Sequence, residues 1–157
     1  MGSAVMGTAL DDYVSKEEDV YSWFDKDEGF TTAWGGQAHV LNVTSQTWMD
    51  ESRAHGPHGA IWDHTVILVV PKNLKYTNMS TLWVTGNCNP GPHPIPHNDE
   101  DVLLMDELSH NTGMVSVVVK QVPNCPYIFP NDPKQMHRGE DNFIAQTWRE
   151  YVDDPEH

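Results

Sequence analysis

The loop Gly86-Asn87-Cys88-Asn89 is the stretch of this chain whose residue types could best do chemistry. It follows Thr81 to Thr85, a short apolar and β-branched run that predicts a buried strand. In open α/β sheets, ligands bind outside the carboxyl ends of the strands. Backbone N–H groups at such a position can stabilise the oxyanion of an acyl-transfer reaction. We therefore predict an oxyanion-binding loop, and the alternative is an ordinary turn after a strand. The candidate residues are Gly86, Asn87, Cys88 and Asn89.

The nucleophile that such a loop would serve is not visible in the sequence. The pattern Gly-x-Ser-x-Gly, which marks the serine elbow of many acyl-transfer enzymes, does not occur. Phosphate-binding loops, dinucleotide-binding fingerprints and His-Glu-x-x-His helices are also missing. We therefore assign no catalytic residue and no cofactor to this chain.

Two groups of histidines are candidates for metal ligands. His93 and His97 flank Pro-Ile-Pro with Asp99 close by, and His55 and His58 lie in a Gly/Pro-rich loop. The prolines prevent the helical geometry that would align two imidazoles on one metal ion. Nine histidines in an acidic chain also form such pairs by chance. No metal site is predicted.

The two cysteines, Cys88 and Cys125, each follow a predicted strand in a Pro/Asn-rich turn. Neither has a Cys-x-x-Cys partner, which excludes zinc and thioredoxin-like motifs. If the two strands are neighbours in a parallel sheet, both turns lie at one edge and a disulfide is a candidate. Glycosylation acceptor patterns begin at Asn42 and Asn78. Asn42 lies inside a predicted strand, so Asn78, beside a predicted turn, is the better acceptor. These features favour secretion.

The charge and hydropathy of the chain exclude several classes of partner. A net charge of −14 and a pI of about 4.7 argue against binding to nucleic acid or to an anionic membrane surface. The longest apolar run, Val66–Val70, is far shorter than a membrane helix. The N-terminus lacks the apolar segment of a signal peptide. We therefore expect a signal that has been removed, a sequence that starts downstream of it, or a cytosolic protein.

Two stretches in the first half of the chain have the composition of strands. Gln37–Thr47 alternates along its length. His64–Val70 is a short apolar run that ends at Pro71, and its pattern predicts a strand buried on both faces. Because the two are close in sequence, we predict an antiparallel pair. Trp62-Asp63-His64 is interpreted as the start of the second strand rather than as a catalytic pair, and Lys72–Asn78 as a turn.

The second half of the chain alternates strands and helices. Asn98, followed by acidic residues, predicts a helix start, Gly113 predicts its end, and Met114–Val119 predicts the next strand. After a Pro-rich loop, Arg138–Val152 predicts a second helix. Arg138 with Glu140 and Asp141 is interpreted as an ion-paired helix start that contacts the Cys125 loop. Helical spacing predicts the core-facing residues of both helices: Asp101, Leu104, Met105 and Leu108 on the first, with Val102 and Leu103 beside them, and Ile144, Trp148, Tyr151 and Val152 on the second.

This order of elements predicts the fold class. An antiparallel strand pair followed by β-α-β-α is an α/β arrangement, and it is how an α/β-hydrolase-like domain begins. The last strand would be a parallel edge with no further partner, so the sheet is predicted to be incomplete. We expect a loose N-terminus over residues 1–9 and a partial α/β-hydrolase-like domain over residues 10–157.

Several stretches, in order along nearly the whole chain, resemble one family. Two patterns are fairly specific, Thr-Ser-Gln-x-Trp and Arg-x-Glu-Asp-x-x-Ile-Ala-x-Thr-Trp. The chain resembles the PhoPQ-activated pathogenicity-related protein family, which includes a secreted autocrine proliferation repressor. The stretches are Thr8–Val14, Leu41–Trp48, Trp62–Val66, Trp83–Asn89, Val122–Pro126 and Arg138–Trp148.

The resemblance implies a secreted or envelope-associated α/β-hydrolase-like protein several times longer than this chain. It also implies that the nucleophile, the acid and the catalytic histidine lie in a missing C-terminal part. Gly-Asn-Cys-Asn replaces an expected Gly-Gly-x-Asn-like pattern, which bears on the oxyanion role of this loop. The expected partners are that C-terminal part and a cell-surface receptor or peptide substrate. Three hypotheses remain: half of a serine hydrolase or peptidase, a secreted signalling protein on a hydrolase scaffold, or a truncated product without function.

Overall fold

A computed structural model describes residues 8–154 of the chain. In this part the chain forms six strands and three helices. In order, they are α1 (Ala9–Ser15), β1 (Ser22–Asp25), β2 (Phe30–Thr31), β3 (Gln37–Thr47), β4 (Ile61–Val70), β5 (Tyr76–Val84), α2 (Glu100–Thr112), β6 (Met114–Val119) and α3 (Glu140–Asp153). The strands form one open sheet in the order β1-β3-β4-β6-β5, and the short β2 also pairs with β3.

The antiparallel pair predicted in the first half is confirmed. β3 has the predicted bounds, and β4 begins at Ile61 rather than at His64. The prediction that β4 is buried on both faces is wrong, because buried residues alternate with partly exposed ones along it. β1 and β2 extend the sheet on the other side of β3. The aromatic segment Val20–Phe24 therefore contributes most of β1.

The strand before the candidate loop differs from the prediction in length and in burial. β5 begins at Tyr76, so the turn predicted over Lys72–Asn78 is wrong. Its side chains are mostly exposed, with Leu82 61% and Val84 51% accessible to solvent. The reason is topological, because β6 inserts between β4 and β5 and leaves β5 at the edge of the sheet. An apolar run indicates that side chains need cover, but it does not tell which element provides it.

The prediction that Met114–Val119 forms the unpaired edge is wrong for the same reason. β6 pairs antiparallel with β4 and parallel with β5, so its backbone has partners on both sides. The predicted β-α-β unit is confirmed, because β5 and β6 are parallel and α2 connects them.

α2 has the predicted terminal signals. Asp99 rather than Asn98 is the N-cap, and its side chain accepts from the Val102 amide at 3.2 Å. Gly113 ends the helix with a φ of 75°, a conformation that costs glycine least.

The buried side of α2 is rotated from the predicted one, and Leu103 and Leu104 are exposed. Asp106 is buried because its carboxylate accepts from the Thr32 hydroxyl at 2.7 Å and from the Trp34 amide at 2.9 Å. A satisfied carboxylate can take a core position that hydropathy assigns to an apolar residue. The buried residues of α2 are Val102, Met105, Asp106 and Ser109.

The predicted core face of α3 is also wrong. The helix begins after Gly139, and Phe143 packs into an aromatic cluster with Trp48, Trp62 and Tyr127. The residues predicted to face the core form an exposed apolar stripe instead: Ile144, Trp148, Tyr151 and Val152.

The two faces of the sheet differ in how they are covered. One face packs against α2 and forms the main core, which contains Val40, Ile67, Val69 and Val118 from the strands and Val102 and Met105 from the helix. The other face, called here the open face, is apolar and lines two broad grooves of about 530 and 670 Å³. The open face consists of Leu41, Val43, Val66, Leu68, Leu82 and Val84.

The N-terminal segment is more ordered than predicted. Thr8 caps α1 with a reciprocal hydrogen-bond pair to Asp11, so residues 8 and 9 do not belong to a loose terminus. Residues 1–7 lie outside the described residues. Between residues 8 and 154, none of the helices is long and apolar enough to cross a membrane.

Candidate functional site

The loops after β5 and β6 meet at the carboxyl edge of the sheet, where the sequence predicts a site. A disulfide joins Cys88 to Cys125 with the Cα atoms 4.5 Å apart. The Asn89 amide donates to the Cys125 carbonyl at 2.6 Å, and the Gln121 amide donates to the Gly86 carbonyl at 2.8 Å. The two loops therefore form one cross-linked rim, called here the disulfide rim (residues 86–89 and 121–125).

Two amides of the predicted oxyanion loop already have acceptors inside the chain. The Asn87 amide donates to the Glu140 carboxylate at the start of α3, and the Asn89 amide donates to Cys125. Asn87 has a φ of 82°, so its amide is aimed by a left-handed turn. An oxyanion at Asn87 would have to displace Glu140. The oxyanion role of Gly86, Asn87, Cys88 and Asn89 stays a prediction.

Buried polar side chains hold the disulfide rim to the sheet. Gln121 accepts from the Thr65 amide at 2.7 Å, and the Asn124 side-chain amide donates to the Asp63 carbonyl. Both side chains are almost fully buried. Sequence reasoning treated this stretch as a Pro-rich loop, because polar residues between prolines carry no periodic signal. The rim is thus fixed by hydrogen bonds to backbone rather than by apolar packing.

A small polar cavity of about 210 Å³ lies beside the disulfide rim. The His58 Nδ1 atom lies 2.5 Å from the Asp63 carboxylate, which also accepts from the Thr44 hydroxyl at 2.7 Å. These two hydrogen bonds orient the His58 imidazole at the cavity, as an acidic residue orients a histidine in many sites. The remaining polar residues that line the cavity are Asn42, His64, Thr65, Asn89 and His93.

The two histidine groups weighed as metal ligands do not come together. His93 contacts the Lys26 ammonium at 2.5 Å, whereas His97 stacks on Phe30 with ring centroids 4.2 Å apart. His55 pairs through its backbone with Ile128, away from the polar cavity. Among residues 8–154, no group of three or more His, Cys, Asp or Glu is arranged to hold a metal ion.

The glycosylation acceptors lie in different environments. Asn42 is half-buried in β3 and lines the polar cavity. Asn78 is exposed on β5 between Tyr76 and Ser80, where the pairing with β6 is irregular. The prediction that Asn78 lies beside a turn is wrong, but its side chain is more accessible than that of Asn42. Modification of either residue stays a prediction.

A buried lysine ties the end of β6 to the start of α2. The Lys120 ammonium lies 3.0 Å from the Asp99 carboxylate and 2.7 Å from the Asp101 carboxylate. Burial alone would lower the pKa of Lys120, but the hydrogen bonds to Asp101 and Asp99 raise it overall. The amine is therefore a permanent cation that fixes the helix beside the disulfide rim.

Arg138 also has a different partner from the predicted one. Its guanidinium donates to Asp132 at 2.8 Å rather than to Glu140 or Asp141. Its backbone pairs with Tyr127, close to Cys125. The predicted contact between this helix start and the Cys125 loop is thus made by backbone.

The second notable surface is apolar. The open face, the exposed edge of β5 and the apolar stripe of α3 lie on separate elements and are all accessible. Trp148 is 71% exposed, which is unusual for the largest side chain of a helix. Apolar surface exposed to this extent marks sites of association.

The sequence of the chain has recognisable relatives. A sequence model of the PhoPQ-activated pathogenicity-related protein family matches residues 10–157. The chain belongs to this family. It is similar to autocrine proliferation repressor protein A of Dictyostelium discoideum, with 35% identity over 151 residues. That alignment covers 96% of the chain but 28% of the relative, so the chain spans less than a third of the relative's length. No solved structure matches the chain.

Proposed function

We propose that this chain is the N-terminal portion of a secreted, α/β-hydrolase-like member of the family, lacking the nucleophile elbow and the triad. The observation that carries the proposal is the open face of the sheet, with Leu82 and Val84 more than half exposed on β5. A large apolar side chain contributes about 1.5–3 kcal/mol when it is fully buried. Several such side chains in one surface favour a covering polypeptide strongly.

The covering polypeptide in this proposal is the C-terminal part of the same protein. β5 runs parallel to β6 and offers a free edge, so a further strand can pair with it. The relative is several times longer than the matched region, which supplies enough chain for strands and helices. The α3 stripe around Trp148 would be buried by the same addition.

In the intact protein, the disulfide rim would border a serine hydrolase or peptidase site. The first oxyanion donor of an α/β-hydrolase comes from the loop after the third strand, and the nucleophile follows a later one. Residues 86–89 follow β5, which is the third long strand along the chain after β3 and β4, and this position supports the assignment. A fluorophosphonate probe on a full-length family member should then label a serine beyond the matched region. A full-length protein whose accessible elbow serine stays unlabelled, as located by peptide mass mapping, would contradict the assignment.

The second candidate function is that of a secreted signalling protein on a hydrolase scaffold. The relative's name, autocrine proliferation repressor protein A, describes a factor that acts on the cells that release it. The disulfide supports an oxidising compartment. Saturable binding of the labelled 157-residue chain to cell surfaces supports this function, whereas activity that requires the C-terminal part supports the hydrolase.

Split-chain complementation tests the main proposal. The 157-residue chain is co-expressed with the segment of the relative that follows its matched region, and complex formation is measured by size-exclusion chromatography. We expect a stable complex that Leu82→Asp weakens at least tenfold. Leu103→Asp is the matched control, because Leu103 is an exposed leucine on α2, away from the open face. Absence of a complex, or equal loss in both variants, would overturn the proposal and favour a truncated product without function.

A further inference from the structure

Ser45 and His64 form a hydrogen-bonded pair on the open face of the sheet. The Ser45 Oγ atom lies 2.9 Å from the His64 Nε2 atom. The β3–β4 register shifts between Thr44 and Gln46, so Ser45 is the extra residue of a β-bulge. Bulges turn a side chain away from the regular pleat and are frequent beside active sites. Here the bulge directs the serine hydroxyl to the imidazole of the neighbouring strand.

The other side of the imidazole fixes its tautomer. The His64 Nδ1 atom lies 3.1 Å from the Lys120 carbonyl oxygen, which can only accept a hydrogen bond. Nδ1 therefore carries the proton, and the lone pair of Nε2 accepts from the serine hydroxyl. His64 is only 6% exposed, and burial lowers its pKa, so the ring is neutral at pH 7. A serine, a neutral base and a group that orients the base are the parts of an activated nucleophile.

The pair borders an apolar groove that can hold a substituent. The groove of about 530 Å³ is lined by Ser45 and His64 and by side chains from α1 and the strands. The Tyr13 hydroxyl donates to the Gln46 side chain at 2.5 Å and positions α1 at the margin of this groove. The apolar lining residues nearest in sequence to the pair are Val43, Trp62 and Val66.

We infer that Ser45 is a nucleophile activated by His64 and that it accepts acyl or phosphonyl groups with an apolar substituent. The Ser45 oxygen bonds to the carbonyl carbon or phosphorus, and its proton moves to His64 Nε2. The bond to the leaving group then breaks, and His64 returns the proton to that group. A donor that stabilises the oxyanion would raise the rate of acyl transfer by a further factor of about 10²–10³. The proposed pair does not include such a donor, so we expect a single modification of Ser45 rather than sustained hydrolysis.

This site is built from residues of the present chain alone, so it can be tested whether or not a C-terminal part covers the open face. The 157-residue chain is incubated with an alkyl fluorophosphonate, and the adduct is located by peptide mass mapping. We expect one phosphonyl group on Ser45, no adduct in Ser45→Ala, and labelling at least tenfold slower in His64→Gln. Ser52→Ala is the matched control, because Ser52 lies on an exposed turn and should leave the labelling rate unchanged.

The unsubstituted chain provides a second measurement that does not depend on the variants folding. Protonation of His64 removes the lone pair that accepts the serine proton. Because burial lowers the pKa of His64, the labelling rate should hold through the ordinary histidine pKa of about 6.5 and fall only at lower pH. Labelling at another residue, no labelling, or a rate independent of pH and of His64 would overturn the inference. The titratable and charged groups that face the pair, its groove or the polar cavity that His64 also lines are Tyr13, Lys16, Glu18, His58, Asp63 and His93. Lys120 contacts the ring through its backbone carbonyl.

Discussion

Replacement of Lys120 by methionine tests the link between β6 and the start of α2. The side chain is 3% exposed, and its ammonium lies 2.7 Å from Asp101 and 3.0 Å from Asp99. Methionine keeps most of the aliphatic stem and removes the charge. The two carboxylates, 13% and 18% exposed, then face each other without a cation. The substitution therefore isolates the electrostatic part of the link from its packing.

The expected loss follows from the burial of both partners. Breaking a buried ion pair by removing one member costs about 3–5 kcal/mol. Since the carboxylates of Asp99 and Asp101 keep some contact with water, we expect the lower end, about 3 kcal/mol of unfolding free energy. In a chain of this length each kcal/mol lowers Tm by about 2–4 °C, so Tm should fall by about 6–12 °C.

Urea and thermal unfolding followed by tryptophan fluorescence measure this loss. Lys72→Met is the matched control, since Lys72 is exposed, and it should change the free energy by less than about 0.5 kcal/mol. Neutralising both acids together with the lysine, in Asp99→Asn/Asp101→Asn/Lys120→Met, should recover much of the loss. A Lys120→Met variant within about 1 kcal/mol of the parent chain would refute the reasoning.

Three further predictions concern stability. Because burial lowers the pKa of His64, the unfolded chain binds more protons, so stability should be complete above about pH 6.5 and decline below it. Urea midpoints against pH should show a shallower decline in His64→Gln, and equal slopes would contradict this origin. Cys88→Ser/Cys125→Ser should lose about 4 kcal/mol in urea unfolding, because the bond closes a loop with a sequence separation of 37; a loss below about 1 kcal/mol would argue against it. Phe143→Ala should lose about 3–5 kcal/mol and Trp148→Ala less than about 1 kcal/mol, measured the same way. A larger loss of stability in Trp148→Ala than in Phe143→Ala would contradict this and support the core face predicted from the sequence.

The strands were readable because their signal is local. Gln37–Thr47 and Met114–Val119 have the predicted bounds, since β-branched residues favour a pleated, partly buried surface whatever lies beside it. The order of strands was not readable from the same signal. β6 and β5 exchange the interior and edge positions that the chain order indicates, because pairing across the sheet depends on contacts distant in sequence.

The predictions of which helix faces are buried were wrong for a physical reason that bears on function. Periodicity placed Trp148 and its neighbours on one apolar side of α3 and predicted that side as the core face, yet Phe143 on another side of the helix faces the aromatic cluster. Two apolar sides on one helix need two partners, and the described residues provide one. Asp106 is the opposite case, a charged residue that hydropathy places outside and that hydrogen bonds hold inside.

The candidate site was partly predictable. The sequence indicated one edge for Cys88 and Cys125 on the condition that their strands are parallel neighbours. β5 and β6 meet that condition, and the structure joins the two cysteines. Ser45 and His64 were not found as a pair, because a bulge leaves no mark in the sequence and shifts one side chain out of the alternating pattern. The sequence did show a serine and a histidine in neighbouring predicted strands. Recognising them as a pair would have required the register of β3 against β4.

The position of β6 between β4 and β5 also sets an order of events during synthesis. β1 to β4 can pair as they leave the ribosome, since each neighbour is already made. β5 emerges before the strand that will hold it, and α2 must follow before β6 closes the gap. In the nascent chain, Tyr76–Val84 therefore stays unpaired until β6 has been synthesised. Chaperones that recognise extended apolar peptides would bind it at that stage.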